Sequence, residues 1–201
     1  MERLCNGRKR ETGRMPMRFT LDTACVVTLS KSEPDTPPDQ IAALVQLVDL
    51  ASDGVIELQL AAAYDRDFDR YKAPDGRARQ LAWLAAAPIA EPRVSGLFVI
   101  GVSVIEGPDV IASDEEASLY DDIRAVLDPA FDGSNLGDEP HSRLAKRTSD
   151  IDHLIAHGRS GADAFVTLDD TTILVHRARL ARLGVLVCWP TEAVTLADGL
   201  L

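Results

Sequence analysis

Residues 149–194 read SDIDHLIAHGRSGADAFVTLDDTTILVHRARLARLGVLVCWPTEAV, and the order of elements they imply decides the fold. The stretch begins as a helix with Asp150, Asp152, His153 and His157 near its start. Gly158 and Gly161 supply the residue type that ends helices, because glycine enters the left-handed region without a Cβ clash. Ala164–Val166 is a short apolar strand that runs into Thr167, Leu168, Asp169 and Asp170. Ile173, Leu174, Leu180 and Leu183 mark a second helix, closed by Gly184, and Val185–Val187 is a further strand. Pro190, Thr191 and Glu192 open a last helix, where proline suits the first turn. Helix, strand, helix, strand, helix with short connections predicts a parallel α/β layer. Ligands of such sheets bind beyond the carboxyl ends of the strands, and Asp169 stands at one of them.

Upstream, Arg18–Leu29 (RFTLDTACVVTL) predicts the first strand, apolar and β-branched enough for a buried parallel position. Asp22 interrupts it. A carboxylate there is costly unless it meets a cation or several donors, which marks it as a site group; the plainer alternative is a local cap on the next turn. Pro37 and Pro38 lead into a helix from Asp39 to Ser52 with a wide apolar face, Gly54 stops it, and Val55–Leu60 is the second strand. Ala61–Tyr71 predicts the following helix, carrying Asp65, Asp67 and Asp69. Asp65 and Asp69 share a face and Asp67 points elsewhere, so which acid meets the sheet end stays open. Beyond it lie an alanine-rich helix around Ala78–Ala87, a strand over Leu97–Ile105 and a loop over Asp128–Pro140. Between the last two, a helix over Asp114–Leu127 is capped by Ser113, with Asp114, Glu115 and Glu116 complementing its dipole.

A chain of 201 residues is long enough for one domain with a sizeable core. The first sixteen residues carry Arg3, Arg8, Lys9, Arg10 and Arg14 and read as a disordered basic extension, with a phosphate-binding arm as the alternative. No apolar run approaches the ~18 residues of a membrane helix, and the N-terminus lacks a secretory core. Both absences predict a cytoplasmic protein without a membrane partner. The net charge of −11 repels nucleic acid on average, so RNA would need a local basic patch or metal ions. Cys5, Cys25 and Cys188 have no metal-type spacing, and the last two read as buried free thiols.

The segments LDTACVV with Asp22, SDIDHLIAH with Asp150 and FVTLDD with Asp169, together with a GAD-like turn and a final GV-x-V…PTEA, resemble the PIN domain family. That family comprises metal-dependent ribonucleases, many of them toxins of toxin–antitoxin pairs. The resemblance covers residues 17–68 and 146–194, and 69–145 is an elaboration of a single PIN-like domain over 17–201. It implies a three-layer α/β/α fold around a central, mainly parallel sheet of about four or five strands. It also implies a Mg²⁺- or Mn²⁺-dependent endoribonuclease with Asp22, Asp67, Asp150 and Asp169 as its catalytic set. Asp22, Asp150 and Asp169 would hold the metal, with Asp67 or its rival Asp65 completing the site. Family members carry Asn two residues after the first acid, where this chain has Ala24. A second reading therefore stays open: a catalytically impaired PIN-like protein serving as a regulatory or scaffold partner. RNA, an antitoxin or other protein partner, and a second copy of the chain are the partners the resemblance brings with it.

The chemistry supports the same set. Several carboxylates gathered at strand ends cannot all stay ionised without a cation, and oxygen ligands favour Mg²⁺ or Mn²⁺ over zinc. His153 and His157 are spaced as a weak zinc pair that no cysteine completes, so hydrogen-bonded core histidines are the simpler expectation. Arg143, Lys146 and Arg147, before the Asp150 helix, and Arg177, Arg179 and Arg182, after Asp169, are candidates for phosphate contact; a solvated helix face is the alternative. Neither GxGxxG nor GxxxxGK[ST] occurs, which leaves a nucleotide-cradling loop without support.

Overall fold

A computed structural model describes residues 15–31, 35–70, 73–96, 111–129 and 141–199. In chain order these form β1 (Met17–Leu21), α1 (Thr23–Lys31), α2 (Pro38–Ser52), β2 (Ile56–Leu60), α3 (Ala63–Arg70) and α4 (Pro74–Ala86). They continue with α5 (Asp114–Leu127), α6 (His141–Ser160), β3 (Ala164–Val166), α7 (Arg177–Arg182), β4 (Val187–Cys188) and α8 (Pro190–Asp198). The four strands form one all-parallel sheet in the order β2-β1-β3-β4, with helices on both faces. The fold is α/β. The strand expected at Leu97–Ile105, the loop expected at Asp128–Pro140 beyond residue 129, and the basic extension up to residue 14 lie outside the described residues.

Successive side chains of a strand point to opposite faces, and here that alternation sorts the core into two layers. Phe19, Leu21, Leu58, Leu60, Ala164, Val166 and Cys188 meet Cys25 and Val26 of α1, Leu44 and Leu47 of α2, and Ala193 and Ala197 of α8. Phe165 and Val187 face the other way, onto Ile123 of α5, Ile151, Leu154 and Ile155 of α6, and Leu180 of α7. Each fully buried Phe or Leu contributes about 1.5–3 kcal/mol. Under α6 the second face turns polar: Gln59 donates to Thr20 Oγ1 (2.8 Å) and to Ser160 Oγ (2.6 Å). Thr20 Oγ1 in turn lies 3.0 Å from His157 Nδ1. Burial holds His157 down to about 4, and a neutral imidazole accepts the Thr20 hydroxyl at that nitrogen.

Three expectations are corrected. The first strand does not run to Leu29. It stops at Leu21, and the Asp22 carbonyl accepts from Cys25 N (3.0 Å) and Val26 N (3.4 Å), which starts α1 at once. A short, wholly apolar run such as Cys25–Val27 suits a buried helix as well as a buried strand. Helix α6 begins at His141, so Asp150–His157 occupy its second half and Gly158 lies inside it. Its first turns are polar and offer no apolar period to read. Gly161, at φ +63°, is where the chain leaves that helix. The last strand is Val187–Cys188, displaced by Val185 docking into the second core. Among the described residues no helix is long and apolar enough to cross a membrane.

Candidate active site

The register Leu21↔Val166 makes Asp22 and Thr167 leave the sheet side by side. The ladder continues one step past β1, with Asp22 N donating to Val166 O (2.9 Å). Thr167 Oγ1 donates to Asp22 Oδ2 (2.6 Å) and accepts from Asp169 N (3.0 Å), so one hydroxyl joins the two strand-end acids. Asp22 is buried. That burial lifts its carboxyl above the ordinary 3.8, against the pull of the His153 charge and the Thr167 hydrogen bond.

Asp67 comes in from α3. Its Oδ1 accepts from Ser149 Oγ (2.6 Å), and its Oδ2 accepts from Thr23 Oγ1 (2.9 Å) and His153 Nε2 (2.9 Å). Burial alone would raise this carboxyl, but the His153 hydrogen bond and charge, followed by Ser149 and Thr23, outweigh it and bring it to about 2. His153 responds in the opposite sense. Burial opposes its charge, yet the bond to Asp67 and the charges of Asp22, Asp67 and Asp150 raise it above 6.5.

Asp150 stands one turn before His153 on α6. Burial first, then the charge of Asp22, with smaller pushes from Asp169 and Asp67, raises it from 3.8 to about 7, against the His153 charge. Asp169 Oδ1 accepts from Thr171 N (2.9 Å), Thr171 Oγ1 (2.8 Å) and Thr172 N (2.8 Å), which folds the chain after β3 into a tight turn. Asp22, Asp67, Asp150 and Asp169 thus share one electrostatic environment at the carboxyl end of the sheet.

Asp65, the alternative second acid, is elsewhere. It is exposed and ion-paired with Arg93, whose guanidinium lies over the Tyr64 ring at 4.8 Å. Asp69 pairs with Arg77 (3.3 Å). Of the candidate phosphate contacts, Arg177 is bound to Glu192 (3.0 Å), and Arg179 and Arg182 are exposed. Arg143, Lys146 and Arg147 fall on the first turns of α6, and their side chains lie outside the described residues. His153 and His157 point to different partners and form no pair. Cys25 and Cys188 are buried free thiols, with burial pushing Cys188 up to about 12 and Cys25 well above its usual range.

Thr23, Ser149 and Thr167 are site groups that the acid pattern does not single out. Ser149 and His153 are four apart, so one face of α6 offers both, and that spacing was the available signal. Ala24 offers no hydrogen bond, and its neighbour Thr23 supplies one to Asp67. Among the described residues no group of three or more His, Cys, Asp or Glu forms a ready metal site. The donor chemistry at this end of the sheet suits a hard cation: the side chains are carboxylates, and their crowding contributes to the rise of Asp150. Compared with known proteins, the chain matches no family model, and no curated protein matches it.

Proposed function

We propose that the chain is a metal-dependent endoribonuclease of PIN type, acting on RNA in the cytoplasm. The observation that carries this reading is the Thr167 hydroxyl that joins Asp22 to the Asp169 backbone at the carboxyl end of the sheet, and the upward shift of Asp150, caused by burial and then by Asp22, Asp169 and Asp67, accords with it. Such crowding recurs at sites built to act on charged groups. Asp22, Asp150 and Asp169 would hold Mg²⁺ or Mn²⁺, and the ion would supply the positive charge that steadies a phosphodiester under attack and acidifies water. The chain's own residues do the positioning. Thr167 fixes Asp22 and ties it to the Asp169 backbone. Asp67, held by three donors, stays ionised and immobile. Arg179 and Arg182, exposed on α7, would give RNA phosphates a basic approach that the acidic whole lacks.

A second reading, a site that keeps its shape without catalysis and serves a regulatory or scaffold role, draws support from two observations. Asp67 and Asp169 Oδ1 are both engaged by the protein's own donors, and Ala24 contributes none. The deciding experiment is Mn²⁺-dependent cleavage of single-stranded RNA by wild type, Asp22→Asn and Asp169→Asn, with circular dichroism as the fold control. Each variant should lose more than the ~100-fold typical of outer-shell changes. Undiminished cleavage by either would sink the nuclease assignment, and an inactive wild type would favour the scaffold.

A further inference from the structure

We infer that the open edge of β4 is a docking site for an extended segment of a partner protein, apolar on one face and acidic on the other. This site is independent of the acid cluster and of any metal held there. The two edges of the sheet differ. At β2 the edge is taken up by residues 89–94: Ala90 N donates to Leu58 O (2.8 Å), Val94 N to Leu60 O (3.0 Å) and Ala62 N to Val94 O (2.8 Å). At β4, Leu186 O and Cys188 O accept from Phe165 N (2.8 Å) and Thr167 N (3.2 Å) on the inner side. Successive peptide groups of a strand point to opposite sides. The N–H and C=O of Val187 therefore point away from the sheet, and no described residue bonds to either.

A groove of about 490 Å³ runs along that edge, between Ala178 and Ala181 of α7 and Leu196 of α8. Leu186, on the α8 side by strand alternation, is 43% exposed and Leu196 is 37% exposed. An open strand edge beside apolar surface accepts an extended chain as a further strand: the backbone bonds, and alternate side chains fill the two sides. Towards α8 those side chains would meet leucine. Towards α7 they would meet a helix with three arginines and no acid. The nearby Glu192 is already spent, with Oε1 on Arg177 (3.0 Å) and Oε2 on Trp189 N (2.9 Å). Arg182, four residues after Ala178 and so on the same side of α7, has no acidic partner among the described residues. A second copy of the chain fits less well. Two β4 edges could exchange both Val187 bonds about a two-fold axis, but each helix layer would keep its face, setting the α7 arginines against their copies.

The test uses the full chain and a short synthetic peptide alternating valine with glutamate, labelled and followed by fluorescence anisotropy. The peptide with lysine in place of glutamate should bind on the order of tenfold more weakly or worse. Leu186→Ser combined with Leu196→Ser should weaken the glutamate peptide on the order of tenfold. In heteronuclear NMR of the wild type, the Val187 amide proton should move downfield as the glutamate peptide binds. No binding at millimolar peptide, equal affinity for the two peptides, or a folded double variant that binds as wild type does would each overturn the proposal. Binding that leaves the Val187 amide unmoved places the peptide elsewhere and overturns it too. A wild-type dimer in sedimentation that the double variant abolishes would make a second copy the occupant instead. If the double variant does not fold, the two peptides and the amide signal decide on the wild type.

Discussion

Asp150→Asn should erase most of a pH-dependent loss of stability centred on the acid site. The unfolded chain ionises Asp150 near 3.8, the folded chain near 7. Between those values the folded state holds about one proton more, so stability falls by about 1.4 kcal/mol for each pH unit gained. The sign is that of a raised acid: the stabilisation is complete below 3.8 and is lost as the pH climbs through about 7. The whole window amounts to about 4 kcal/mol at most, because Asp22 and His153 titrate in the same cluster and share the change. His153, raised above 6.5, adds a loss of the same sign at higher pH. Asp67, lowered to about 2, acts oppositely, but only below 3.8. Urea unfolding at pH 5, 6, 7 and 8 in chelator resolves the matter. The Asn variant should gain on wild type by about 2–3 kcal/mol between pH 5 and pH 7. Millimolar Mn²⁺ should recover part of the wild-type loss and less in the variant. Parallel curves for the two proteins would refute the placement of Asp150 among the other acids.

Ser113→Ala removes one half of a capping box, the bond in which Ser113 Oγ accepts from Glu116 N (3.2 Å), while Glu116 still accepts from the backbone N of residue 113 (2.8 Å in wild type), and should cost about 0.5–2 kcal/mol in a thermal melt. An unchanged melt would mean α5 does not unfold with the rest. Arg179→Glu combined with Arg182→Glu should weaken RNA binding and flatten its salt dependence by a little under one unit for each phosphate no longer neutralised. An equal slope in filter binding from 50 to 200 mM salt would place RNA elsewhere.

The strand–helix order after residue 160 was legible because Gly161 and Gly184 punctuate it, both at positive φ, and because the apolar run Ala164–Val166 is bounded closely by Gly161 before it and by Thr167, Asp169 and Asp170 after it, which decides for a strand. The first strand was legible only up to Asp22. Beyond that acid lies an apolar run whose helical fate is decided by the Asp22 carbonyl, a backbone event with no sequence mark. The acids divide in the same way. Asp22 and Asp169 announce themselves at strand ends, where a carboxylate needs a reason to be. Choosing between Asp65 and Asp67 required knowing that Arg93 would arrive beside one, and Ser149 and His153 beside the other. Those partners are 28, 82 and 86 residues away in sequence, beyond the reach of any local pattern.

The place of β1 in the sheet has a consequence for how the chain comes into being. β1 lies between β2, which follows it closely, and β3, which begins only at Ala164. During synthesis from the N-terminus the β1–β2 pair can form early, while the other edge of β1 carries unpaired backbone until Ala164–Val166 has emerged more than a hundred residues later. Open edges of that kind pair readily with other chains. A truncation before Ala164 would keep this edge exposed, while Asp22 would lack Thr167 and stand without Asp169. The same late strand that protects the nascent chain from aggregation also assembles the acid site, so an incomplete chain is adhesive and has no complete site.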